Sequence, residues 1–101
     1  DRGRVRLYGV DTPEVGERCA GDATARLTEL AGEKVRVESG PRATDQYGRL
    51  LYYVYSDGGD NIDEQLILDG LGRAWTRDGQ YRDFLVGLEE KARSAKTGCL
   101  W

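Results

Sequence analysis

Two short clusters in this sequence carry side chains suited to phosphate chemistry. The first is Arg6 followed by Asp11-Thr12-Pro13-Glu14. Asp11 and Glu14 stand three positions apart across a proline bend, so both carboxylates can address one small volume. Hard oxygen donors in such a turn suit Ca²⁺ or Mg²⁺. The second cluster is Thr44-Asp45-Gln46-Tyr47-Gly48-Arg49, where Gly48 permits a tight entry into a strand and puts Arg49 at its mouth. A guanidinium there offers a planar fork of donors to a phosphate. Each cluster has a plainer reading on its own. Asp11 and Glu14 can be turn caps with Arg6 solvated, and Arg49 can be half of an ion pair at an ordinary loop-to-strand junction. Together, two arginines and a carboxylate pair fit phosphodiester hydrolysis: the arginines neutralise the phosphorane, a metal polarises it, and Glu14 takes a proton from water.

What the sequence lacks narrows the chemistry further. It contains no histidine, which removes Ser-His-Asp and Cys-His nucleophiles, His-containing zinc sites and an imidazole base. Acid–base work falls to Glu, Asp, Lys or Tyr. Basic residues number 15 and acidic ones 18, a net charge of −3. Bulk counterion release demands a strongly basic protein, so any phosphate binding must rest on a few placed arginines or a metal. Cys19 and Cys99 cannot by themselves make a four-ligand zinc site. They are either two buried thiols or a disulfide joining the start of the first helix to the end of the chain. The bridge would stabilise by about 4–5 kcal/mol and imply an oxidising compartment; it requires the two Cα atoms within about 7 Å. No apolar run is long enough to cross a bilayer, and no charged-then-apolar leader stands at Asp1.

The elements that must position these clusters follow from hydropathy period and breakers. One domain spans residues 1–101. Arg4–Val10 alternates as a strand, ended by Asp11–Glu14, and Val15–Gly21 is a polar loop. Asp22 can cap a helix with Ala23, Leu27, Leu30 and Ala31 on one face and Gly32 as its stop. Lys34–Glu38 reads as a strand broken by Ser39-Gly40-Pro41, and Arg42–Gly48 as a loop. Arg49–Ser56 is a strong strand followed by turn residues Asp57-Gly58-Gly59. Asp63 reads as the cap of a short helix, Glu64–Leu68, closed by Gly70. After a break at Asp78-Gly79, a helix over Tyr81–Thr97 places Phe84, Leu85, Leu88, Ala92 and Ala95 along one side, with Gly98 as its stop. Tyr52, Tyr53 and Tyr55 read mainly as packing residues. Trp75 and Tyr81 flank a polar loop and could floor a base pocket. Lys91, Arg93 and Lys96 read as a solvated face, and Leu100-Trp101 as a tail on the core. Three strands do not close a barrel, and the text opens inside its first strand, so strands are expected ahead of Asp1.

The segments R-L-Y-G-V-D-T-P-E (Arg6–Glu14), D-Q-Y-G-R (Asp45–Arg49) leading into L-L-Y-Y-V-Y, I-D-E-Q-L-I-L-D-G-L (Ile62–Leu71), E-x-x-A-R and the final G-C-L-W resemble the staphylococcal nuclease (thermonuclease) family. They run in family order over nearly the whole chain. The resemblance implies an α+β fold, an OB-fold barrel with helices packed on it, and Ca²⁺-dependent cleavage of DNA and RNA leaving 3′-phosphates. It implies that Arg6 and Arg49 contact the scissile phosphate. Asp11 would ligate Ca²⁺ by its carboxylate and Thr12 by its backbone carbonyl. Glu14 would activate or position water, and Tyr47 would donate to a terminal phosphate. The family takes another metal-binding aspartate from a turn between its first two strands, and Asp1 is too close to Arg6 to be that residue. The expectation is therefore a nuclease whose activity is poor in this chain alone, with strand exchange or self-association as another source of the missing edge. The family habit and the cysteine pair imply secretion. A non-catalytic OB-fold module that docks nucleic acid or protein is the competing reading. The presence of Arg6, Glu14 and Arg49 favours the enzyme.

Overall fold

A computed structural model of the protein describes residues 5–101. Its elements are β1 (Val5–Leu7), β2 (Val10–Asp11), α1 (Ala20–Ala31), β3 (Val35–Thr44), β4 (Leu50–Ser56), α2 (Ile62–Leu68), β5 (Arg73–Ala74) and α3 (Arg82–Ser94). Central β4 pairs parallel with β1 and antiparallel with β3, while β2 and β5 form a separate antiparallel pair. The architecture is α+β, as the resemblance implies. Among the described residues the sheet stays open, with β1 and β3 at its edges. Asp1 and Arg4, the latter the first residue of the expected opening strand, lie outside the described residues.

That opening strand is two strands. Tyr8, Gly9 and Val10 are all buried, so alternation fails and the chain bends out of one sheet into the other. The Gly9 N–H donates to the Asp63 carboxylate at 2.7 Å, and the Gly9 carbonyl accepts the Trp75 N–H at 2.9 Å. Ser39-Gly40-Pro41 does not break β3 as expected, nor are residues 42–44 loop. The register instead jumps from Ser39 opposite Tyr52 to Thr44 opposite Leu50, a bulge. Proline, lacking an N–H, is tolerated because β3 is an edge strand among the described residues and the bulge falls there.

The helices also depart from expectation at their ends. α1 begins at Ala20 after Cys19, which takes the left-handed conformation at φ 75°, and Asp22 sits in the first turn rather than at the cap. There its charge faces the positive end of the helix. The cap of α2 is Asn61, whose side chain accepts the Glu64 N–H at 3.0 Å. Asp63 lies inside the helix, fully buried. α3 stops at Ser94, and the Thr97 N–H closes back onto the Ala92 carbonyl at 3.0 Å. Leu85 and Ala92 are buried and Leu88 is half-buried, but Phe84 and Ala95 face solvent.

Tyr8, Val10, Leu51, Tyr53, Ile62, Leu66, Ile67 and Leu85 form the middle of the core. Tyr8 stacks on Tyr53 at 5.1 Å, and Tyr81 meets Tyr53 edge-on at 4.7 Å. Tyr81 and Tyr55 both donate to Glu38 at 2.8 Å, so Tyr81 belongs to this packing and not to a base pocket. Cys19 and Cys99 are joined in a disulfide with Cα atoms 5.7 Å apart. Trp101 is half-buried under the guanidiniums of Arg73 and Arg93, at 5.3 and 4.7 Å, while Lys91, Arg93 and Lys96 are all exposed, the solvated face expected of them. No helix among the described residues is long and apolar enough to cross a membrane.

Candidate active site

Strand β1 lies beside β4 with Arg6 opposite Leu51, while Arg49 stands immediately before β4. The two arginines therefore line one hollow of about 410 Å³. Arg6 is largely covered; its Nη1 donates to the Leu7 carbonyl at 3.0 Å and its Nη2 lies 3.6 Å from Asp11 Oδ1. Asp45 builds the turn that presents Arg49. Its Oδ1 accepts the Tyr47 and Arg49 N–H groups, each at 2.9 Å, and its Oδ2 accepts Arg49 Nε at 2.7 Å. Partial burial pushes the Asp45 carboxyl up, but these two amides and the guanidinium outweigh it and hold it below its ordinary value. Asp45 takes Nε, and among the described residues both terminal nitrogens of Arg49 stay available to the hollow. Tyr47 is exposed at the same rim, with the Arg49 guanidinium 5.6 Å from its ring centre.

Asp11 lines this hollow and also a second one, again about 410 Å³, shared with Thr12, Glu14, Glu17, Arg18 and Arg73. Glu14 belongs to that second hollow and not to the one lined by Arg6 and Arg49. Asp11 is thus the residue common to both. The Glu14 N–H donates to Glu17 Oε1 at 2.7 Å, and the Glu17 N–H to the Glu14 carbonyl at 2.9 Å, so the loop is folded on itself. Its donors are hard oxygens of the kind a calcium ion takes. Among the described residues, however, no three acidic, Cys or His side chains gather closely enough to hold a metal. Asp11 and Thr12 fit such an ion in kind while filling only part of its six to eight positions.

Of a third group, only Trp75 was legible as functional in the sequence. Asp78 accepts the Tyr8 hydroxyl at 2.8 Å, Trp75 Nε1 at 2.8 Å, and Arg42 through Nε at 3.0 Å and Nη2 at 3.2 Å. The Arg42 guanidinium, with help from Trp75 and Tyr8, holds its carboxyl well below the usual range against the effect of burial. Burial, reinforced by Asp78, pushes the Tyr8 hydroxyl up. Trp75, Arg77, Asp78 and Arg42 all line the arginine hollow. The available signal was Trp75 and Asp78 three residues apart before a glycine; the partners Tyr8 and Arg42 lie 70 and 36 positions away from Asp78.

Residues 4–101 match the family described as staphylococcal nuclease homologue. The chain belongs to that family. A thermonuclease of Staphylococcus intermedius is 34% identical over 107 residues, covering 97% of this chain and 62% of the relative. One from Staphylococcus hyicus is 32% identical over 103 residues, covering 91% and 59%. Endonuclease YncB of Bacillus subtilis is 36% identical over 104 residues, covering 91% and 48%. The chain thus spans about 60% of the length of the thermonucleases it matches. Family membership bears on both clusters, since Arg6–Glu14 and Asp45–Arg49 lie inside the matched region.

Proposed function

We propose that this chain is the catalytic part of a calcium-dependent nuclease that hydrolyses phosphodiester bonds of DNA and RNA. The observation that carries the reading is the convergence of Arg6 and Arg49 on one hollow whose edge, Asp11, is also the edge of the hollow holding Glu14. In this reading the free nitrogens of Arg49 and the guanidinium of Arg6 grip the phosphate and take up charge as the phosphorane forms. Asp11 and the Thr12 carbonyl hold Ca²⁺, which when bound supplies positive charge at the phosphate. Glu14 accepts a proton from the attacking water. Tyr47 donates to a terminal phosphate, and Trp75 offers a ring on which a base can stack. With one carboxylate and one carbonyl as ligands, the cation affinity of this chain is low. The disulfide supports an oxidising, extracytoplasmic setting.

Cleavage of single-stranded DNA with Ca²⁺ and with a chelator tests the reading. Arg49→Ala and Glu14→Ala should each lower the rate about 10²–10³-fold, with the circular dichroism spectrum unchanged. Calcium-dependent cleavage that survives both substitutions overturns the assignment. No cleavage at saturating Ca²⁺ by this chain or by an N-terminally extended one, with binding retained, would favour the non-catalytic module.

A further inference from the structure

Four guanidiniums line the arginine hollow, and they differ in what they already hold. Arg49 is bound to Asp45 at 2.7 Å and Arg42 to Asp78 at 3.0 Å, the latter through two nitrogens. Arg6 donates to the Leu7 carbonyl at 3.0 Å, and its approach to a carboxylate is the 3.6 Å one to Asp11. Arg77 is exposed and has no hydrogen bond or ion pair among the described residues. Its guanidinium lies 5.5 Å from the centre of the Trp75 ring, and that of Arg6 lies 4.8 Å from the same centre. The indole that both approach, with Arg42 5.9 Å from the same centre, is fixed by Asp78 on its Nε1 and by the Gly9 carbonyl on its backbone N–H.

Guanidiniums gathered about one indole in a single hollow offer contacts for more than one phosphate of a nucleic-acid strand, with a ring beside them for a base. We propose that Arg77 is a second phosphate-binding residue of this hollow, engaging the phosphate next to the one at Arg6. The substrate is then a strand with consecutive phosphodiester links rather than a mononucleotide. This rests on the phosphate-handling reading above. Arg42, neutralised by Asp78, holds the platform and does not take phosphate. Arg77 has no hydrogen-bonded or ionic partner among the described residues to lose when a phosphate arrives, so its charge-assisted hydrogen bonds to that phosphate replace bonds to water. Stacking on the indole tolerates any base, so the preference is for strand length and not for sequence.

The experiment is a binding titration with a chelator present, using a fluorescein-labelled thymidine hexanucleotide and, separately, thymidine 5′-monophosphate, over a salt series. Arg77→Ala should weaken hexanucleotide binding and reduce the slope of log K against log salt by about 0.7, the value for one single-strand phosphate contact. Monophosphate binding should stay unchanged, and Arg77→Lys should restore most of the slope because it keeps the charge. An unchanged slope in Arg77→Ala, or an equal loss of monophosphate affinity, overturns the proposal. If Arg49→Ala then still weakens the hexanucleotide, the phosphate-handling reading stands without it. Failure of the unaltered chain to bind the hexanucleotide at low salt sinks both.

Discussion

Asp63 ties the site to the core through a single carboxylate. It receives the Gly9 N–H at 2.7 Å and the Val54 N–H at 3.4 Å. Gly9 is the bend between Arg6 on β1 and Asp11 on β2, so this bond helps fix how those two side chains of the first cluster are set relative to each other. Burial raises the Asp63 carboxyl from 3.8 to about 6, against the opposing pull of those amides and of Arg6. A folded state with the higher pKa holds the proton more tightly than the unfolded chain. The resulting stability is complete below about pH 4 and is lost as the pH rises through about 6. Roughly two pH units at about 1.4 kcal/mol each set its size near 3 kcal/mol. Asp45 and Asp78, held below their ordinary values, act in the opposite sense: their contribution is present at neutral pH and is lost in acid. Asp63→Asn removes only the first effect. In urea unfolding, the stability of the unaltered chain relative to Asp63→Asn should fall by up to about 3 kcal/mol between pH 4 and 7. Parallel pH profiles for the two proteins would refute it.

The Trp75–Gly79 loop works as an element because its last residue has no side chain. Gly79 has φ 110°, and a Cβ there would collide with the Tyr53 hydroxyl in the core. Gly48, beside Arg49, also has positive φ, 78°, but a Cβ there would meet nothing within 4 Å. Gly48→Ala should therefore cost about 1–2 kcal/mol, the left-handed penalty alone. Gly79→Ala adds overpacking of about 1–3 kcal/mol. It should also displace Asp78, and with it the hydrogen bond to Trp75 that a change in indole fluorescence reports. Equal losses of stability in the two variants would contradict the steric account. The same loop shows where sequence reading reached its limit. Asp45-Gln46-Tyr47-Gly48-Arg49 was legible because its hydrogen bonds are local, all within four residues. Asp78 and Asp63 read as turn and cap residues because Tyr8 and Arg42, which bind the first, and Gly9, which binds the second, lie 36 to 70 positions away in the sequence. β5 escaped notice because two residues cannot show a period, and β3 ran past Gly40-Pro41 because an edge strand tolerates a missing N–H.

At the scale of the molecule, the end of the chain is fastened to the loop that carries Glu14. The Cys19–Cys99 bond closes a separation of 80 residues. Around it, Arg18 donates to the Cys99 carbonyl at 2.8 Å, and the Leu100 N–H donates to the Gly70 carbonyl at 3.0 Å. Arg18 and Leu100 line the same hollow as Glu14. The two thiols were readable as a possible pair, but only the fold brings their Cα atoms within bonding reach. Because the bond spans most of the sequence, it restricts the unfolded chain as a whole, and its removal should cost about 2–5 kcal/mol. A domain of this size has only about 5–15 kcal/mol in total, so the loss is a large share. Denaturant unfolding before and after treatment with a reductant measures it, with thiol titration confirming that the bond has opened. Cys19→Ser with Cys99→Ser should unfold at the reduced protein's midpoint and show no response to reductant. If the fully reduced protein unfolds at the oxidised midpoint, the bond is not what restrains the chain, and the hydrogen bonds around Cys99 and Leu100 hold the C-terminal segment without it.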